Sequence, residues 1–488
     1  MEATPAPAPG RLLIDGEWRD AVSGRAFPTL NPADETVITT VAEAGPEDVD
    51  LAVKAARRAL ESGPWARMNA AERGKTLWRM GELVRERLPS LSLLETLDTG
   101  KTLFDSGKIE LPMAADIFQY YAGATTSIAG RTIASRPDAF TYTLREPVGV
   151  VAAIVPWNFP FLLAAWKVAP ALAAGCVVIV KPASQTPLSA LEMGRIGLDA
   201  GLPPGVLQVL PGAGSTMGLA LVRHPGVDKV AFTGSTEVGR TILQESAGTL
   251  KRVTLELGGK SPNIVFADAD LDAAVKGAFN GIFYNKGEVC AAGSRLLVER
   301  AVHEEFVKRL AERADATVLG DPREKGTRMG PVISAQQMAT VLHYIETGAK
   351  EGARILAGGR RAEDVNRGKG YFVRPTVFDG VTSEMTIARE EIFGPVLAAM
   401  EFEDVDDAIA KGNATIYGLA AGVWTRDVGK AHRVARALKA GTVWVNTYNL
   451  YDASLPFGGF KQSGFGWELG LEALEAYLET KSVWMSLA

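Results

Sequence analysis

Val148-Gly149-Val150-Val151-Ala152-Ala153-Ile154-Val155 is a short apolar run with β-branched residues, and its reading decides the fold. Further on, Cys176-Val177-Val178-Ile179-Val180 has the same character. Between them the chain is apolar over a helical length. Two strands without polar alternation, joined by a helix, make a βαβ unit, and strands buried on both faces belong inside a parallel sheet. Residues 161–180 are apolar enough to raise the question of a membrane span. Lys167, Pro170 and Gly175 interrupt them, so a buried helix followed by a central strand is the expectation.

The pattern extends outward from this unit. Gly205-Val206-Leu207-Gln208-Val209-Leu210 and Val227-Asp228-Lys229-Val230-Ala231-Phe232 read as further strands with helical stretches between them. A second α/β series starts after Gly258-Gly259, with strands expected at Pro262-Asn263-Ile264-Val265-Phe266, Ser294-Arg295-Leu296-Leu297-Val298, Val396-Leu397-Ala398-Ala399-Met400 and Gly441-Thr442-Val443-Trp444-Val445-Asn446. The double glycine is read as a hinge, because glycine relieves backbone restriction. Thr141-Tyr142-Thr143-Leu144-Arg145 and Lys481-Ser482-Val483-Trp484-Met485-Ser486 are short strands outside either series.

A chain of 488 residues exceeds one hydrophobic core, so two or three domains are expected. With 47% hydrophobic and 22% charged residues it is a globular composition, and a net charge of −5 gives no basic field for nucleic acid or anionic lipid. Two cysteines are too few for a disulfide framework, which fits a reducing cytoplasm. The start, Met1 to Gly10, lacks a basic region followed by an apolar one and reads as a tail, not a signal peptide.

Three segments carry chemistry. Asn285-Lys286-Gly287-Glu288-Val289-Cys290 holds one of the two cysteines, a soft nucleophile; a lone cysteine is otherwise a small core residue. Val253-Thr254-Leu255-Glu256-Leu257-Gly258-Gly259-Lys260 places Glu256 in an apolar strand, where a carboxylate is either a base or half of an ion pair. Pro156-Trp157-Asn158-Phe159-Pro160 offers an amide that would stabilise an oxyanion or cap the helix after it.

Together with Lys181-Pro182-Ala183-Ser184, Phe232-Thr233-Gly234-Ser235, Glu391-Ile392-Phe393-Gly394-Pro395 and Pro456-Phe457-Gly458-Gly459, these segments resemble the aldehyde dehydrogenase superfamily, from about residue 10 to the C-terminus. The flavour is closest to phenylacetaldehyde-type, broad-specificity members. The resemblance implies an α/β fold of two Rossmann-like parallel-sheet domains and a small β arm for oligomerisation. The dinucleotide-binding domain would take residues 1–123 and 148–258, the catalytic domain 259–470, and the arm 124–147 and 471–488. It also implies a homo-oligomer, a dimer or tetramer.

By the same resemblance Cys290 is the nucleophile, Glu256 the general base and Asn158 an oxyanion donor with the backbone N–H of Cys290. Lys167 either tunes the proton path or forms a salt bridge, and Cys176 is structural. NAD would lie on Lys181, Ser184, Gly234, Ser235 and Gly239, with Glu391 on the nicotinamide ribose and Phe393 beside its ring. The run Gly212-Ala213-Gly214-Ser215-Thr216-Met217-Gly218 looks like a dinucleotide fingerprint, but its spacing is off and it reads as a turn. Ser184 stands where NAD-restricted members often carry Glu, which removes the repulsion of a 2′-phosphate and opens the groove to NADP. The substrate, an aldehyde, would be lined by Phe159, Leu163, Trp166, Tyr284, Val289, Tyr451 and Phe457, an aromatic and uncharged set that suits an apolar or aryl aldehyde. No metal site is expected. Trp467 departs from the family, which usually has Arg there, and an interface position would explain it. Two other readings compete: a cofactor-free cysteine thioesterase, and a scaffold that has lost its chemistry.

Overall fold

The computed structural model describes residues 8–487; the first seven residues of the expected tail lie outside that range. Val150–Ile154 and Val177–Lys181 lie side by side and parallel, with every residue of both strands buried. The helix between them, Pro160–Ala174, is buried at all 15 positions. Each large apolar side chain such as Phe161 or Leu172 contributes roughly 1.5–3 kcal/mol by leaving water. Pro160 starts the helix where its missing N–H costs nothing, and Gly175 ends it in the left-handed conformation at φ 94°. Pro170 sits inside the helix without ending it. No helix among the described residues is long and apolar enough to cross a membrane.

Among the described residues these strands belong to an eight-stranded sheet, in the order Gly464–Phe465, Arg252–Glu256, Lys229–Thr233, Val150–Ile154, Val177–Lys181, Leu207–Val209, Leu12–Ile14, Glu17–Arg19. The central five strands are mutually parallel. Both edges are antiparallel, closed by the N-terminal hairpin on one side and by Gly464–Phe465 on the other. Those edge strands are two or three residues long, too short for any periodicity to show.

A second sheet has seven strands in the order Arg354–Ala357, Thr376–Asp379, Val396–Phe402, Arg295–Glu299, Pro262–Val265, Ala420–Trp424, Thr442–Val445. It is parallel except for its first pair. A third, antiparallel sheet joins Leu478–Ser486, Ala139–Pro147 and Thr132–Arg136, and it leaves Ile133, Phe140, Trp484 and Met485 exposed.

The chain passes from the first sheet to the second through Gly258 and Gly259. Neither has a positive φ, and both are buried. What requires glycine there is space: a side chain on Gly258 would strike the Glu391 carboxyl, and one on Gly259 would strike the carbonyl of Cys290. Close approach explains the pair better than the hinge read from the sequence.

Candidate active site

Cys290 sits half-buried on the loop between the helix Leu271–Phe283 and the strand Arg295–Glu299. Ahead of it Asn285, Lys286 and Gly287 take φ values of 44°, 61° and 71°. Left-handed backbone costs a non-glycine residue on the order of 1–3 kcal/mol and persists only when the surroundings impose it. Here Lys286 Nζ pairs with Glu288 Oε2 at 3.0 Å and donates to the carbonyl of Thr99 at 3.1 Å. Glu288 Oε1 accepts from the Ile333 N–H at 2.9 Å, and Tyr448 donates its hydroxyl to the Ala291 carbonyl at 2.9 Å. The thiol of Cys290 is pushed up to about 12 by burial, with Glu256 and then Glu391 adding repulsion. Cys176 is wholly buried, its thiol donating to the Tyr477 carbonyl at 3.4 Å.

Glu256 ends the strand Arg252–Glu256 and is 5% exposed, yet neither carboxylate oxygen has a hydrogen-bond partner. Burial above all, then Glu468, holds its carboxyl well above the usual range, while Lys167 opposes that rise. No side chain bonds to it, and the Gly459 N–H only eases the rise. Asn158 does not cap the helix that follows, since the cap position is Phe159 and no side chain bonds there. Its Nδ2 instead donates to the carbonyl of Glu288 at 2.9 Å, two residues before Cys290. Lys167 is fully buried, donates to Thr233 Oγ1 at 2.7 Å and forms an ion pair with Glu468. Glu468, which sequence reasoning passed over, is the neighbour of the Trp467 that departs from the family pattern. Trp467 itself is half-buried within the chain, against Gly458.

A cavity of about 640 Å³ opens over these groups, with Cys290, Glu256 and Thr233 on its wall. All seven residues expected to face a substrate line it: Phe159, Leu163, Trp166, Tyr284, Val289, Tyr451 and Phe457. Their rings pack on one another, with centroids 5.4 Å apart for Trp166 and Phe457, 5.5 Å for Tyr451 and Phe457, and 6.1 Å for Phe159 and Tyr284. The seven expected residues are uncharged, but they are not the whole wall. Asp105, Glu110, Arg313 and Arg328 also line the cavity, contributed by segments that carry no family motif. The Arg313 guanidinium stacks 4.8 Å from the ring centre of Phe279.

The nucleotide candidates cluster at the carboxyl ends of the first sheet's strands, where an open α/β sheet receives ligands. Lys181 ends its strand buried, with Nζ donating to the Pro182 carbonyl at 3.0 Å and its stem running over Gly218; burial lowers its amine to about 8. Ser184 is half-buried and donates to the Gly212 carbonyl at 3.1 Å. Gly234 follows the strand Lys229–Thr233, and Ser235 caps the helix Thr236–Ser246, accepting from the Val238 N–H at 3.3 Å. The exposed N-terminus of that eleven-residue helix is suited to a pyrophosphate. Space at Gly239 is taken by Leu257, so that glycine serves helix-to-sheet packing in this structure. The Gly212–Gly218 run lies between the strand Leu207–Val209 and the five-residue helix Leu219–Arg223, with Gly214–Gly218 as a π-helical turn.

Glu391 accepts from the Gly259 N–H at 3.1 Å, and burial raises its carboxyl to about 7. Phe393 has φ 57° and meets Trp157 edge to face at 5.2 Å. Gln337 holds this segment by donating to the Phe393 carbonyl at 2.8 Å. Gly287 abuts the carbonyl of Gly394, so the cysteine loop and the Glu391 segment are in contact. Among the described residues no group of three or more His, Cys, Asp or Glu side chains is arranged to hold a metal ion.

The same arrangement of elements and motifs is found in known proteins. The aldehyde dehydrogenase family model matches residues 18–483. The human mitochondrial aldehyde dehydrogenase is 49% identical over 99% of this chain and 94% of its own length, and mouse aldehyde dehydrogenase 1A1 is 51% identical over 98% and 95%. A solved aldehyde dehydrogenase of Bacillus cereus in complex with NAD+ superposes with a TM-score of 0.98 at 49% identity, covering 100% of this chain and 99% of that one. The chain therefore belongs to the aldehyde dehydrogenase family.

Proposed function

We propose that this protein oxidises an aldehyde to a carboxylic acid through a thioester on Cys290, with NAD as cofactor and NADP as a usable alternative. The observation that carries the reading is the meeting of the Cys290 thiol and the unpartnered Glu256 carboxyl on the wall of one aromatic cavity. Loss of the thiol proton to solvent water lets sulfur bond to the carbonyl carbon, and the carbonyl π pair moves to oxygen as an oxyanion. The Cys290 N–H and the second N–H of the Asn158 amide are its donors, the first being spent on Glu288. A bound nicotinamide supplies the hydride acceptor that makes the adduct a thioester. Glu256 then takes a proton from water, which cleaves the thioester and frees the acid and the thiol. Burial and Glu468 raise the Glu256 carboxyl, and the Lys167 ammonium opposes that rise.

The helix N-terminus after Ser235, the amine of Lys181 and the Glu391 carboxyl fit a dinucleotide, and a cofactor-free thioesterase has no use for such a cradle. The aromatic inner wall supports an apolar or aryl aldehyde, and the exposed apolar face of the third sheet supports assembly into a dimer or tetramer. A panel of aryl, alkyl and carboxylate-bearing aldehydes, followed by the absorbance of reduced cofactor, tests both levels. The expected order of kcat/KM puts aryl and apolar aldehydes first. A lead for carboxylate-bearing aldehydes would overturn the substrate reading, and no reduction with any aldehyde would overturn the activity.

A further inference from the structure

We propose that Lys101 is a positioning residue for the oxyanion donor Asn158, acting from outside the cavity wall; the proposal rests on the donor role given to Asn158 above. Lys101 is 0% exposed. A buried ammonium is costly unless its surroundings offset the loss of water, so its partners define its role. Its Nζ forms an ion pair with Glu110, donates to the main-chain carbonyl of Asn158 at 2.9 Å, and comes within 3.8 Å of Glu95 Oε1. It also lies 4.6 Å from the ring centre of Phe159, the next residue and part of the cavity wall.

Asn158 is thereby fixed at both ends. Its side chain is tied to the Glu288 carbonyl, and its own carbonyl takes Lys101 and, at 3.1 Å, the amide of Asn285 from the strained cysteine loop. Glu110 carries the restraint further, because its other oxygen accepts from the Tyr284 hydroxyl at 3.0 Å. One ammonium thus joins the turn after Gly100, the Asn158 segment and the tyrosine wall. Without it, Glu110 is left buried without its counter-ion and the Asn158 carbonyl keeps a single donor. The peptide that carries the amide then loses its anchor, and donors to a developing oxyanion tolerate little displacement.

Lys101→Met should be combined with Asn158→Ala in a double-mutant cycle that reads the burst of reduced cofactor in a single turnover. Asn158→Ala should slow the burst about 100-fold, as loss of one oxyanion donor does. Lys101→Met should slow it about tenfold in the wild type and leave it unchanged in the Asn158→Ala background, since residues acting through one another are non-additive. Lys101→Arg, which keeps the charge, should recover most of the loss. Alkylation of Cys290 by iodoacetamide, an attack on saturated carbon with no oxyanion, should keep its rate. Slowing that multiplies onto Asn158→Ala, or alkylation that falls in step with the burst, would overturn the proposal. If Lys101→Met does not fold, Lys101→Gln, which also removes the ammonium, takes its place in the same cycle under the same criteria. An Asn158→Ala enzyme with a normal burst would remove the donor assignment itself, and the proposal with it.

Discussion

A thiol held at about 12 is almost wholly protonated at neutral pH, and that sets the first test at the scale of single residues. Because the pKa is raised, thiolate accumulates as pH rises: below 12 its fraction grows tenfold for each pH unit. Alkylation of the cofactor-free enzyme should therefore keep speeding up about tenfold per unit from pH 7 to 10.5, and a rate that levels off above pH 9 would show an unraised thiol. Cys290→Ser should abolish oxidation while leaving NAD binding nearly intact, measured by turnover and by titration of the cofactor; retained turnover would exclude Cys290 as nucleophile. Glu256→Gln should slow acid release more than hydride transfer, giving a burst of reduced cofactor and then a slow steady rate. Loss of the burst along with turnover would place Glu256 earlier in the reaction. Cys290, Glu256 and Asn158 were legible because each stands in a motif whose local residues are themselves informative. Lys101, Glu110 and Glu468 were not, because a lysine or glutamate far along the chain reads as a solvated charge until the fold buries it. The sequence did contain Lys286 and Glu288 within the quoted cysteine segment, but only the left-handed turn between them shows why they pair.

Between residues and the whole chain, the cofactor cradle is a matter of where strands stop. Val177–Lys181 and Lys229–Thr233 end at the same rim of the sheet, delivering Lys181 and Ser184 to one place and Ser235 with its helix to another. A carboxylate at position 184 would meet a 2′-phosphate with a repulsion on the order of several kcal/mol in a partly desolvated groove. The wild type is expected to use NADP measurably, and Ser184→Glu to impose strong preference for NAD. The ratio of kcat/KM for the two cofactors in both proteins measures this, and equal discrimination in both would show that other contacts set the preference. The buried parallel strands were readable from their unbroken β-branched runs, and Pro160–Ala174 from an apolar stretch of helical length. The antiparallel edges escaped because strands such as Gly464–Phe465 carry almost no pattern. The glycine pair was visible, but its reason was not: nothing local says that Glu391 and the Cys290 carbonyl would press against Gly258 and Gly259.

For the whole molecule, the exposed side chains of the three-stranded sheet give the most direct test of assembly. Trp484 is 64% and Ile133 49% exposed, on antiparallel strands that also leave Phe140 and Met485 exposed. Trp484→Lys combined with Ile133→Lys should lower the mass measured by light scattering while leaving the fold, read by circular dichroism, unchanged; an unaltered mass would place the contact elsewhere. A different consequence follows from the far edge of the first sheet. Arg252–Glu256 is closed by Gly464–Phe465, with Leu255 opposite Phe465 and Glu256 opposite Gly464, and Ser463 donates its hydroxyl to the Gly258 carbonyl at 2.7 Å. During synthesis the strand bearing Glu256 thus waits, as an open edge, until Gly464 and Phe465 have left the ribosome. An unclosed edge is a template for pairing with other chains, so a message cut short before codon 464 leaves that template bare beside Glu256.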